Sequence, residues 1–236
     1  MEQYYKIAGL TVAMASHGMT EQRAQKYLCP PPETVDIRIV SRWEQDKHKY
    51  PQFSDNVGEY MITAADFYRG LLNFDGMMLH ASAVVVDGWA YLFTANSGVG
   101  KSTHTTLWLS AFGERAHILN DDKPALRREQ GRWYAYGTPW SGKHDISSNE
   151  RVPVAGIACL SRAEENHIEP FTGTEAIASL FRQVNRPRQR ENRIKLLQLL
   201  DQLIREVPIW HLSCNKEPQA ALVAYTAMNK GKDSIE

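Results

Sequence analysis

The chain is poor in the residues that would tie it to a disulfide-braced or zinc-bound fold: 236 residues hold three cysteines, Cys29, Cys159 and Cys214. They are far apart and odd in number, and none has the paired spacing of a zinc site or a disulfide framework. Reduced, buried thiols of a cytosolic protein are the expectation. An excess of either charge is missing as well. Lys+Arg and Asp+Glu are 27 each, which argues against bulk electrostatic attachment to nucleic acid or to an anionic membrane. Long apolar runs are also missing: no segment approaches the roughly 20 residues of a membrane helix. The opening "MEQYYKIAGLTVAM" is broken by charge and glycine where a secretory signal needs an apolar stretch. These absences together read as a cytoplasmic protein with no nucleic-acid and no membrane partner.

What is present is an ordinary globular composition, 43% hydrophobic and 23% charged, in a chain long enough for one large domain with a small lobe attached. Residues 1–75 mix strands and helices in no repeating order and read as an N-terminal lobe packed on the main domain. "YYKIAGLTVAM" and "TVDIRIVS" carry the strand signals, "CPPPE" is a turn or linker, and residues 63–74 read as a helix capped by Thr63. Residues 76–228 form the main domain, and residues 229–236 read as a frayed tail.

The centre has a different grammar. "MLHASAVVVDGWAYLFTA" gives two apolar strand runs around an Asp87-Gly88 turn, and the second run feeds straight into "TANSGVGKSTH". Residues 101–112 read as a helix stopped by Gly113, and "AHILN" as a short buried strand ending at Asp121-Asp122, so the segment is a βαβ unit. Further strands are expected at "RWYAYGTP", "VPVAGIACL" and "VPIWHLSC", and amphipathic helices at "TEAIASLFRQV", "NRIKLLQLLDQLIREV" and "EPQAALVAYTAM".

Ala95-Asn96-Ser97-Gly98-Val99-Gly100-Lys101-Ser102 fits the Walker A phosphate-loop pattern except that its first glycine is alanine. Glycines let successive backbone N–H groups turn inward, and the helix that follows adds its positive end, so such a loop is a nest for polyphosphate. Lys101 would then reach the β and γ oxygens, and the Ser102 hydroxyl would coordinate Mg²⁺. Asp121-Asp122 follow at the end of the next strand, where open α/β sheets put their ligands. Two adjacent acids allow two roles, metal ligand and proton acceptor; Pro124 allows the plainer reading that one of them caps a turn. A GTPase is disfavoured, because no glycine follows the acids in the manner of a switch motif and "NKEP" has Glu where a base-reading Asp belongs. His104, one turn into the helix, reads as a packing residue.

Together "MLHASAVVVDG", "ANSGVGKST" and "NDDKPAL" resemble the catalytic domain of HPr kinase/phosphorylase and the wider phosphoenolpyruvate carboxykinase-like kinases. The likeness covers residues 79–126 and is similar in detail to small bacterial HPr-kinase-related proteins, some of which accompany peptide-modification systems. It implies an α/β phosphate-loop domain with a mixed sheet, beside the small N-terminal sheet lobe. It implies bound ATP and Mg²⁺, with Asn96, Ser97, Gly98, Val99, Gly100, Lys101, Ser102 and Thr103 holding the nucleotide. Lys101 would hold the γ-phosphate, Ser102 and Asp122 the Mg²⁺, Asp121 would act as base, and His80 would sit near the transferring phosphoryl. The polar loop "GTPWSGKHDISSNERVP" resembles a substrate loop, with Lys143 and His144 facing the acceptor or γ-phosphate; as a bare sequence it is equally a solvated loop. The arginines at 182, 186, 188, 190 and 193 are either a solvated helix start or a site for an anionic group or partner.

The expected function is a kinase that transfers phosphoryl from ATP to a hydroxyl on a peptide, a protein or a small molecule. A non-catalytic ATP sensor or assembly factor and a carboxykinase-like lyase are its rivals. Self-association stays open.

Overall fold

The computed structural model describes residues 2–232. The chain begins with a hairpin, β1 (Gln3–Ile7) and β2 (Leu10–Met14), followed by α1 (Gly18–Ala24), β3 (Ile37–Ile39), the single turn α2 (Trp43–Asp46) and the long helix α3 (Asp55–Leu71). It continues through β4 (Gly76–Met78), β5 (Ala81–Val86), β6 (Trp89–Thr94), α4 (Lys101–Phe112), β7 (Ala116–Asn120), β8 (Ala125–Glu129), β9 (Arg132–Tyr136) and β10 (Arg151–Arg162). The remainder is β11 (His167–Pro170), α5 (Gly173–Phe181), α6 (Arg190–Glu206), β12 (Ile209–Cys214) and α7 (Gln219–Lys232).

The result is a mixed α/β fold with two sheets. β1, β2 and β3 make a small separate sheet; the large one runs β4-β8-β9-β10-β6-β5-β7, with β12 joined to β10 and β11 to β12. Because β-strand side chains alternate between faces, the central strands, β5 buried throughout and β6 buried after Trp89, feed two cores at once. Ala81, Ala83 and Val85 of β5 with Leu92 of β6 enter one core, beneath α5 and α6. Val84 and Val86 with Tyr91 and Phe93 enter the other, beneath α4 and α7. This double burial is why both strands read as nearly continuous apolar runs. β10 keeps the arrangement through a bulge: a register shift against β6 between Val154 and Gly156 lets Val154 and Ile157 face the same core, although their spacing alone would put them on opposite faces.

β10 is also where the large sheet curls. Its first three residues pair antiparallel with β9, and its last six pair parallel with β12. β5 lies between β6 and β7 and is antiparallel to both. The start of β5 and the ends of β6 and β7 therefore share one edge, and this edge carries the chemistry described below.

The small sheet packs under α3 in a third core that also takes Ala125, Tyr136 and Trp140. Three sequence expectations need correction here. Thr63 does not cap a helix: α3 starts eight residues earlier, and the Thr63 hydroxyl donates back to the Glu59 carbonyl at 2.8 Å inside it. Gly58, which disguises that helix start, is there because Trp43 lies against it, 2.2 Å from where a Cβ would stand. Of the tail, residues 229–232 continue α7, and 233–236 lie outside the described residues. Finally, of the cysteines only Cys159 is buried, while Cys29 and Cys214 are half-buried; all three are free.

Candidate functional site

The edge of the large sheet brings the predicted residues together. β6 ends at Thr94 and opens into the glycine loop, 95–100, in which Gly98 (φ 80°) and Gly100 (φ 129°) take left-handed conformations that cost a side-chain-bearing residue strain. The loop runs directly into α4, whose first residue is Lys101. β7 ends at Asn120 and delivers Asp121 and Asp122, and β5 begins just after His80. The result is a cleft of about 350 Å³ lined by His80, Ser97, Gly98, Gly100, Lys101, Ser102, Thr103, Asp121, Asp122, Gly142, Lys143 and His144. Asn96 and Val99 are exceptions. Asn96 accepts a hydrogen bond from Gln183 at 3.2 Å, and the Val99 side chain packs toward the core beneath α4.

Lys101 is buried to 9% exposure, and its ammonium donates to the Ala95 carbonyl at 3.1 Å. Burial lowers its pKa, while the charges of Asp122 and Asp121 work the other way. An ammonium so placed is costly unless an anion compensates it.

The two acids are held differently. Asp121 Oδ1 accepts from the Ser82 hydroxyl at 2.7 Å, and Ser82 in turn meets Thr105 Oγ1 at 3.0 Å. Asp122 pairs with His80 Nε2 at 3.2 Å and with Lys123 Nζ. Burial raises the Asp122 pKa, but the His80 hydrogen bond and the Lys123 charge outweigh it and hold the carboxyl down at about 2. Their backbone is fixed by Asn120, whose side-chain oxygen accepts from the N–H groups of Asp122 and Lys123 at 3.0 and 2.7 Å.

Four partners escaped the sequence reading. Gln183, buried after α5, accepts from His80 Nδ1 through Oε1 (3.1 Å) and donates to Asn96 through Nε2, tying β5 to the glycine loop. Arg162, at the end of β10, donates to the carbonyls of Val99 (3.1 Å) and Gly98 from outside the cleft. Lys123 and Ser82 complete the set. Only Ser82, a polar residue in the apolar run "ASAVVV", carries a local signal.

The loop 137–150 is also more than a solvated stretch. Trp140 is fully buried and stacks on Phe67 at 4.8 Å. Arg23 donates to the Gly142 carbonyl at 2.6 Å, Lys26 to that of Ser147 at 2.7 Å, and the Gly142 N–H donates to Tyr60 Oη at 2.9 Å. The N-terminal residues thus press this loop against the acids, leaving the exposed Lys143 and His144 over the cleft. His104, by contrast, faces away: it is buried, accepts from Trp108 Nε1 at 3.1 Å, and lies edge-on to Phe93.

The donor set suits an anion with an associated metal. Lys101, buried at the start of α4 directly behind the glycine loop, suits a phosphate, and the Ser102 hydroxyl and the Asp122 carboxylate are hard oxygen donors. Among the described residues no group of three or more His, Cys, Asp or Glu side chains could hold a metal ion unaided.

Fold and cleft define a mixed α/β protein whose glycine loop, buried lysine and paired acids share one sheet edge. The chain belongs to the family described as SynChlorMet cassette protein ScmC, which matches residues 59–218. That stretch spans the cleft-bearing sheet edge and omits β1 to β3. Among solved structures, the Hpr(Ser) kinase/phosphatase from Coxiella burnetii aligns with 65% of this chain and 97% of its own, at 15% identity and a TM-score of 0.40. That likeness is distant. No curated protein matches the chain. Among the described residues no helix is long and apolar enough to cross a membrane.

Proposed function

We propose that the chain is an ATP- and Mg²⁺-dependent kinase whose glycine loop is a phosphate loop and whose acceptor is a hydroxyl on a peptide, a protein or a small molecule. One observation carries the reading: Lys101 and Ser102 at the start of α4 line a single cleft together with Asp121 and Asp122. Bound ATP·Mg would supply the γ-phosphoryl group and the charge that neutralises its oxygens.

The chain's own residues do the rest. The 97–102 backbone and Lys101 bind the phosphates, and Ser102 with Asp122 supply the metal's protein oxygens. Asp121 takes the acceptor hydroxyl's proton as that oxygen bonds to the γ-phosphorus and the bond to the departing ADP oxygen breaks. Ser82 orients Asp121 for this through Oδ1, and Oδ2 has no protein hydrogen bond among the described residues, so it is available for the incoming proton. His80 steadies Asp122 and borders the transferring group. Catalysis of this kind is mostly positioning and charge neutralisation.

The test incubates the protein with γ-labelled ATP, Mg²⁺ and serine-containing peptides beside Lys101→Ala and Asp121→Asn, with nucleotide binding measured separately by calorimetry. Label transfer by wild type alone, with ATP binding retained in Asp121→Asn, is the expected result. Binding with no transfer above the variants would identify a nucleotide sensor and sink the kinase reading. A chain that binds no nucleotide would sink both.

A further inference from the structure

The α2–α3 region and the segment 185–189 enclose a groove of about 720 Å³. We infer that it docks an acidic segment of a peptide acceptor; the acceptor part of the inference rests on the kinase reading, whereas the binding part does not. Five cations line the groove, Arg42, Lys49, Arg69, Arg186 and Arg188, against two carboxylates, Asp46 and Asp66. This local surplus stands out in a chain whose acids and bases balance at 27 each.

The two carboxylates are already shared out. Asp66 takes Arg42 at 3.3 Å and also Arg69, while Asp46 takes Lys49 at 2.6 Å. Arg186 rests 6.0 Å over the Phe181 ring, and neither it nor Arg188 has a carboxylate partner among the described residues. A guanidinium fork without an acid is fitted to bidentate capture of one. Exposed ion pairs such as Lys49–Asp46 are worth only about 0–1 kcal/mol, so an incoming carboxylate competes with them at little cost.

A short stretch of chain, residues 183–185, links the cleft's edge to the groove. Gln183 touches His80 and Asn96, and Val184 bridges to Leu79 at the same sheet edge. Asn185, two residues on, already lines the groove. Two residues of extended chain span at most about 7 Å and five, to Arg188, about 18 Å. At about 3.3 Å per residue, acids within about five positions of a serine in the cleft can span that distance to Arg186 and Arg188. A peptide suits the lining better than a nucleic acid does. Its backbone N–H groups are donors for Asp46 and Asp66, whereas a phosphate backbone offers these carboxylates only repulsion.

The experiment measures fluorescence anisotropy on the full chain with a labelled peptide carrying one serine and three glutamates about three to five residues from it. A peptide with glutamine in place of glutamate and an oligouridine of similar length serve as comparisons. We expect the acidic peptide to bind at least about tenfold tighter than its glutamine counterpart and to weaken with added salt. The double variant Arg186→Glu/Arg188→Glu should erase that difference while keeping wild-type ATP affinity and melting temperature, both side chains being exposed. Equal binding of the two peptides, discrimination that survives the double reversal, or tighter binding of the oligouridine would overturn the inference. Acid-selective peptide binding by a chain that binds no ATP would keep the groove and remove the kinase reading instead.

Discussion

Gly142 lies so close to Asp122 that a Cβ built on the glycine would stand 2.6 Å from the aspartate's Cβ, and the glycine's φ is +76°. Gly142→Ala therefore both strains the backbone and pushes the acid. Strain of this kind costs about 2 kcal/mol, or roughly 4–8 °C in a chain of this size, which a thermal melt would show. Displacing Asp122 should also cut phosphotransfer by more than tenfold while ATP still binds, since the substitution leaves the glycine loop and Lys101 in place. A variant with wild-type melting temperature and turnover would mean that the loop can yield, and that its contact with Asp122 positions nothing.

The uneven legibility of this cleft has a physical source. The glycine loop, Lys101 and Ser102 are adjacent in sequence, and Asp121-Asp122 end the strand that follows, so strand, loop and helix periodicity is enough to bring them near one another. Ser82 and Thr105 meet across 23 residues and Gln183 meets His80 across 103; contacts made by the closing of the sheet leave no local pattern. The same is true of Trp140, whose burial depends on α3 and turns an apparently solvated loop into an anchored one. The two apolar strand runs, conversely, are readable in "ASAVVV" and "WAYLFT", whereas the first two turns of α3 are not, because Gly58 is a poor helix former whose place is set by Trp43 packed against it.

Gln183→Leu tests the long-range tie. The variant keeps the volume but removes the amide that joins His80 Nδ1 to Asn96. Loss of a buried hydrogen-bonding partner costs about 1–3 kcal/mol. A purely structural residue would lower the melting temperature and leave KM and kcat of the remaining folded protein unchanged. A positioning role predicts that kcat falls several-fold more than ATP affinity does, with partial recovery in Gln183→Asn.

His104 sets an acid limit on stability. Its Nε2 accepts the indole N–H of Trp108, so the buried ring is neutral with its proton on Nδ1, toward Cys214 Sγ at 3.9 Å. Burial pushes its pKa down from 6.5 to about 4. A base whose folded pKa is depressed contributes stability above its unfolded value and loses it as pH falls toward the folded one. Urea unfolding should therefore show about 2 kcal/mol lost between neutrality and about pH 5, and His104→Gln should flatten that slope. Parallel slopes for the two proteins would show that His104 is not the group responsible.

Lys101→Met separates holding a ligand from holding the fold. The Lys101 ammonium is buried with one carbonyl partner, and its lowered pKa means that at neutral pH the charge is a burden to the folded state, relieved only as pH rises toward the ordinary lysine value. Methionine fills similar space without a charge, so the variant should melt at or slightly above the wild-type temperature. Its affinity for ATP should meanwhile drop roughly 10- to 150-fold, the range expected for losing a hydrogen bond to a charged group. ATP should accordingly raise the melting temperature of wild type far more than that of the variant. If Lys101→Met instead melts lower and binds ATP as well as wild type does, the lysine is a strut for the Ala95 turn, and the phosphate would have to be held by the loop amides alone.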